Sequence, residues 1–207
     1  MIGKNSPLIL GSGSPRRSQI LQTIGIPIRV VAGHTNEDHR DGESPEAYLH
    51  RVVLEKLADV ASRMVDMGPV TPFGGVLVAD TIVVDGSKIL GKPADRVDAF
   101  RMIRSLSGRP HEVLTRFALA SDAAPSVPVH QETVRTVVHF RNLTDSEITR
   151  YVDTGEGLDK AGAYAAQGIG AFLVSRIDGS FYNVVGLPAC EVVSALVGAG
   201  LVDMYPF

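Results

Sequence analysis

The sequence predicts an α/β fold, a mixed sheet with flanking helices, and three observations predict it. Short apolar runs such as Leu8-Ile9-Leu10 and Val76-Leu77-Val78-Ala79 read as buried strands. Between such runs lie segments with helical apolar spacing, above all the one after Ser44-Pro45, where Leu49, Val52, Val53, Leu57 and Val60 form one stripe. Turn chemistry at Asp85-Gly86 and Asp178-Gly179 adds hairpins, so the sheet is expected to be mixed.

In chain order, Leu8–Leu10 is a strand that runs into Gly11-Ser12-Gly13. Ser14 caps a helix with Pro15 at its first position, Ile20, Leu21 and Ile24 form its apolar stripe, and Gly25 stops it. A second strand over 28–32 leads into a polar loop over 33–43. Ser44-Pro45 opens a longer helix to about Met67. Gly74-Gly75 precede a strand over 76–79, which Asp80-Thr81 break and which resumes over 82–84 before a hairpin to 88–90. Asp95 caps a third helix carrying Ala99, Met102, Ile103 and Leu106, ended by Gly108. Strands over 112–120 and 132–140 follow, the second alternating Val134, Thr136, Val138 and Phe140 as a half-buried strand should. Thr144 and Glu147 form a capping box for a short helix to Asp153. The glycine-rich segment 155–170 has little regular pattern. A hairpin is expected between 171–177 and 181–185, and Pro188 opens the last helix, to about Val197.

The chain has 207 residues, 44% of them hydrophobic, enough to pack one core, and residues 1–207 are expected to form one domain. A formal net charge of −3 provides no global positive field for a nucleic-acid backbone, so any anionic ligand must meet a local basic cluster. The absence of Trp argues against a stacking platform for single strands. Cys190 is the only cysteine, which excludes an internal disulfide and fits a reducing compartment. No apolar stretch reaches the roughly 18 residues of a membrane span, and the first residues lack a signal-peptide layout. A cytoplasmic protein without nucleic-acid or membrane partners is expected. The six histidines show no zinc-binding spacing.

Arg16 and Arg17 occupy the first turn of the first helix, where the helix dipole disfavours a cation by about 0.3–1 kcal/mol. Amide donors at the same end attract anions. A phosphate over Gly11 to Arg17 would reconcile the two, fixed by amides and guanidinium forks; two solvated arginines is the alternative. A Walker loop would need Gly-Lys-Ser/Thr, and the dinucleotide fingerprint a glycine at Arg16, so both fail. A sugar nucleotidyltransferase signature remains a competitor.

Asp80 follows the run 76–79, which puts a carboxylate at the tip of a strand, where ligands of open α/β sheets gather. Glu37, shortly after the second strand, could reach the same edge. Two carboxylates beside a triphosphate would hold a divalent ion, and one could act as general base. Taken on spacing, the alternative for Asp80 is a turn or cap residue, and Glu37 reads as a solvated acid. Lys56 falls on the inward stripe of the 45–67 helix, so it either snorkels to water or meets an anion at the core's edge. Lys92 and Lys160 lie in loops where a triphosphate could be gripped.

Together these segments resemble the Maf family of nucleotide pyrophosphatases, from about Leu8 to Val197. The matching motifs are Ser12-Gly13-Ser14-Pro15-Arg16-Arg17, Ala79-Asp80-Thr81, Gly91-Lys92-Pro93, Leu106-Ser107-Gly108-Arg109, Asp159-Lys160-Ala161-Gly162-Ala163-Tyr164, Gln167-Gly168 and Asn183-Val184-Val185-Gly186-Leu187-Pro188. The resemblance implies an architecture akin to inosine triphosphatases, with a cleft between two lobes and often a homodimer. It also implies a divalent cation, Mg or Mn, and hydrolysis of a nucleoside triphosphate between its α- and β-phosphates. Asp80 matches the family's catalytic acid; Arg16, Thr81 and Gln167 match positions tied to base selectivity; Ser12, Arg17, Glu37, Lys56, Lys92 and Lys160 match polar positions of the site. Arg16, Thr81 and Gln167 favour the dTTP/UTP subgroup over the 7-methyl-GTP subgroup. Uracil and thymine offer an N3–H beside carbonyls, which an amide can answer on both counts, whereas 7-methylguanine offers two N–H donors better met by a carboxylate. Departures are Asn36, where an acid is usual, and Ala165-Ala166 in the base-pocket loop. A non-catalytic, nucleotide-binding regulator of septum formation is the reading from outside enzymology.

Overall fold

The computed structural model describes residues 1–66 and 72–206. Its strands are β1 (Leu8–Leu10), β2 (Ile28–Val30), β3 (Gly75–Asp85), β4 (Lys88–Leu90), β5 (Pro110–Ala120), β6 (Pro128–Phe140) and β7 (Val174–Asp178). Its helices are α1 (Pro15–Thr23), α2 (Pro45–Asp66), α3 (Arg96–Leu106), α4 (Asp145–Asp153), α5 (Phe181–Val185) and α6 (Ala189–Gly198). The sheet order is β2-β1-β3-β5-β6-β7, with β4 on β3. β1 lies parallel to both β2 and β3, while β3–β4 and β6–β7 are antiparallel, so the expected mixed α/β sheet with flanking helices is present. Among the described residues no helix is long and apolar enough to cross a membrane.

The chain divides into two compact units. The first comprises Met1–Asp80, Thr115–Val134 and Gly186–Phe207; the second comprises Thr81–Leu114 and Arg135–Val185. In the first, the inward stripe of α2 (Val53, Leu57, Val60, Met64) packs with Ile9, Val76, Val78, Ala118 and Ala120. Gly11, just past β1, is required there: a Cβ would stand 2.6 Å from Val78 Cγ1 and 2.7 Å from Val60 Cγ2. Helix α1 ends in a Schellman turn, with Gly25 at φ 75°, its amide on Gln22 O and the Ile26 amide on Leu21 O. In the second unit, α3 (Ala99, Ile103, Leu106) and α4 (Ile148, Tyr151, Val152) pack with Val83, Val113, Val138 and Phe140. Asp95 caps α3 through the Asp98 amide, and Thr144 and Glu147 make the capping box of α4.

Four expectations change. β3 is not broken at Asp80-Thr81 but continuous from Gly75 to Asp85, so Asp80 lies inside a strand rather than at its tip. Acids are rare in strands, but here Lys56 answers the charge, as described below. No strand forms over 181–185: that stretch is α5, and β7 pairs with β6 instead, Val137 opposite Asp178. Asn183, on α5, is fully buried and donates to Val113 O (3.1 Å) and Thr136 Oγ1 (3.0 Å), bonds that hold the helical turn. Ser14 holds the N-cap position of α1, but its side chain makes no capping bond. β2 stops at Val30, two residues early. The expected end of α2 at Met67 lies outside the described residues.

Candidate active site

β1 and β2 finish where β3 continues. The last β1 pairing is Leu10 with Leu77, after which the Gly11 amide donates to Leu77 O (2.8 Å). Asp80 therefore stands three residues beyond the carboxyl end of β1, so the sheet-edge expectation survives although the strand does not stop. The Asp80 side chain is only 10% exposed. Lys56, 12% exposed on the inward stripe of α2, places Nζ 2.6 Å from Asp80 Oδ1 and 2.6 Å from Glu37 Oε1. The inward lysine meets anions and does not snorkel. Glu37 is exposed, so the buried pair is Lys56 with Asp80, and removing either of those two costs about 3–5 kcal/mol because the other charge is left unanswered.

Arg17 is also buried, and three of its five donors go to protein acceptors: Nε to Gly186 O (2.8 Å), Nη1 to Ala79 O (2.8 Å) and Nη1 to Ser12 Oγ (3.0 Å). Ser12 Oγ also accepts the Ser14 amide (3.2 Å). Burial pushes the guanidinium below its ordinary value, opposed by the charges of Asp80 and Glu37. The sequence reading makes Arg17 a phosphate fork; in the structure that fork clasps the residue before Asp80 and joins the turn 12–14, α1 and Gly186. Arg16, half-buried in the same first turn, acts on Arg17 as a neighbouring cation.

Sequence reasoning missed the side chains that fix the Glu37 loop. Tyr48 Oη donates to Glu37 O (2.8 Å). Arg51 makes a two-pronged pair with Glu43 (2.7 and 2.8 Å), and its Nη2 also donates to Asp38 O (3.0 Å). Burial pushes the Tyr48 phenol well above its usual range, and Asp80 and Glu37 add to the shift. A signal was present: Tyr48, Val52 and Lys56 recur every four residues on the buried stripe, and two of the three end in polar atoms.

The remaining candidates belong to the second unit. Thr81 is half-buried in β3, and Lys92 and Gln167 are exposed. The Gly162 amide donates to Gly91 O (3.1 Å), which joins the Gly91-Lys92-Pro93 and Lys160-Ala161-Gly162 segments. Lys160 Nζ donates to Glu156 O and to the exposed Asp159 carboxylate. Among the described residues no group of three or more His, Cys, Asp or Glu side chains could hold a metal ion unaided.

A mixed sheet with flanking helices, and a carboxylate–ammonium array just beyond the carboxyl end of β1 beside a basic helix start, defines the chain as an α/β protein. The chain belongs to the Maf family, matching the Maf-like protein description over residues 7–199. It is 45% identical to a dTTP/UTP pyrophosphatase of Geotalea uraniireducens (strain Rf4) over 205 residues, covering 98% of this chain and all of that one. It is 47% identical to a dTTP/UTP pyrophosphatase of Geobacter sp. (strain M21), covering 93% and 95%. With the same-named protein of Myxococcus xanthus (strain DK1622) the identity is 46%, covering 94% and 93%. A solved HAM1 protein from Coxiella burnetii aligns with a TM-score of 0.45 at 12% identity, covering 93% of this chain and 98% of that one.

Proposed function

We propose that this chain hydrolyses dTTP and UTP to the monophosphate and pyrophosphate, with Asp80 at the centre of the chemistry. Near-full-length identity of 45–47% to relatives of that activity supports the reaction. The observation that carries the site is Lys56 Nζ held at 2.6 Å from both Asp80 and Glu37.

A divalent cation fits this donor set. The two carboxylates are hard oxygen donors already drawn to one positive charge, and Mg or Mn commonly takes one or two protein carboxylates and fills its shell with phosphates and water. Asp80 and Glu37 would hold it. When bound, it would supply charge neutralisation at the phosphates and the pyrophosphate leaving group. Asp80 orients water and accepts its proton, with Lys56 holding the carboxylate in place. Arg17 keeps Ala79, and through it Asp80, in register. Arg16 and the start of α1 attract phosphate. Lys92 and Lys160 bind phosphate oxygens; for Lys160 this means exchanging Asp159, an exposed partner worth little in water. Thr81 and Gln167 select the base.

The test is a pyrophosphate-release screen over dTTP, UTP, CTP and 7-methyl-GTP, with Asp80→Asn alongside. The expected outcome is fastest turnover of dTTP and UTP, and a fall of roughly 10²–10⁴ in kcat for the folded variant. A preference for 7-methyl-GTP would overturn the substrate assignment, and undiminished turnover by Asp80→Asn would overturn the chemistry.

A further inference from the structure

The loop carrying Gln167 is tied on both sides to two residues that neither composition nor motif singled out. On one side the Ala165 amide donates to Tyr151 Oη (3.1 Å). On the other, the Ile169 amide donates to Glu156 Oε1 and the Gly170 amide to Glu156 Oε2, both at 2.8 Å. Tyr151 Oη closes the circuit by donating to Glu156 Oε2 (3.0 Å). One phenol and one carboxylate thus take up three loop amides and each other, with Gln167 at the exposed apex between the anchors. Tyr151 is buried on α4 beside Phe172, while Glu156 lies three residues past the end of that helix, so the anchors stand on a packed element.

Shape confirms how closely the loop is seated. A Cβ at Gly168 would lie 1.9 Å from Glu156 Oε1, and one at Gly170 would lie 2.7 Å from Tyr151 Oη. Each glycine stands where the clamp leaves no room for a side chain. Glu156 also presents its backbone carbonyl to Lys160 Nζ.

We propose that Tyr151 and Glu156 are positioning residues for nucleobase selection, holding the Gln167 amide where it meets the donor and acceptors of the pyrimidine edge. The inference rests on the reading of Gln167 as base reader. An amide matches a base edge only if its plane is fixed, and a charged acceptor taking two amides fixes the loop more firmly than a neutral one. A loosened loop accepts other edges, so discrimination falls before chemistry does.

The experiment compares Tyr151→Phe, Glu156→Gln and Gln167→Ala in steady-state kinetics with dTTP and CTP, together with amide exchange over 165–170. The clamp predicts a fall of roughly tenfold in the dTTP-to-CTP ratio of kcat/KM in the first two variants. That fall should come mainly through KM for dTTP, with faster exchange at Ala165 in Tyr151→Phe and at Ile169 and Gly170 in Glu156→Gln. Adding either clamp variant to Gln167→Ala should change the ratio no further, because both act through one amide. If Gln167→Ala collapses the ratio while the clamp variants keep it, the inference is wrong and the base-reader assignment stands. If Gln167→Ala leaves the ratio intact, that assignment fails, and the positioning role with it. Exchange judges the geometry separately: unprotected amides at 165, 169 and 170 in the unmodified protein would exclude the clamp.

Discussion

At the scale of single residues, the site depends on charges placed where water cannot easily answer them. Lys56 and Asp80 are close to fully enclosed, so each is a liability without the other. Arg17 solves a neighbouring problem, since its fixed fork satisfies two buried carbonyls and a hydroxyl in three directions. A lysine carries donors on a single point and cannot span those acceptors. Arg17→Lys should therefore lower unfolding free energy by about 2–4 kcal/mol, as expected when buried carbonyls lose their donors. Turnover should fall with it, because Ala79 is the residue that leads into Asp80. Urea denaturation of the purified variant checks this, and stability equal to that of the unmodified protein would mean the fork is not what seats β3 against α1.

At the scale of elements, most local features were legible, the Ser14 cap being an exception, and the long-range ones were not. The caps at Asp95 and Thr144, the glycine stop of α1 and the stripe of α2 depend on neighbours within a few positions, and they appear where the sequence puts them. The continuity of β3 through Asp80 depends on Lys56, 24 positions earlier, and the helical turn at Asn183 depends on Val113 and Thr136. Val184 and Val185 carry strand propensity, but the buried amide of Asn183 outweighs it. Asp80, Glu37 and Lys56 were nameable through the family resemblance; their meeting at one ammonium was not. The same applies to the loop over 33–43, which reads as solvated yet is anchored by Tyr48 and Arg51 from α2. If Tyr48 serves the site by holding Glu37, Tyr48→Phe should raise KM for dTTP several-fold while costing about 1 kcal/mol of stability. In a Glu37→Gln background the same change should add little to KM. An undiminished effect there would separate Tyr48 from Glu37.

At the scale of the whole molecule, the titrating groups divide stability against pH into two windows. His111 is buried, with Nε2 2.9 Å from Tyr164 Oη and its ring edge-on to Phe140 and Tyr164. Burial lowers its pKa from 6.5 to about 4. Below pH 6.5 the unfolded chain takes up a proton that the native ring refuses, so stability falls as pH drops from 6.5 towards 4; above 6.5 neither state binds it and the group contributes no slope. The full effect is about 3 kcal/mol. Glu43, through its Arg51 partner, and Glu147, through the Thr144 amide and Arg141, are both held at about 2 against an ordinary 4.5. Their stabilisation is complete above pH 4.5 and is lost only as pH falls from there towards 2. Between pH 6.5 and 4.5, then, the slope belongs to His111 among the groups with displaced pKa values. His111→Gln keeps an amide within reach of Tyr164 and removes the titration. Thermal or urea unfolding across that window should give a flatter profile for the variant than for the unmodified protein, with the two converging in shape below pH 4, where the carboxylates dominate. Identical slopes between 6.5 and 4.5 would mean that the ring admits its proton in the native state, through local opening of the Tyr164 segment.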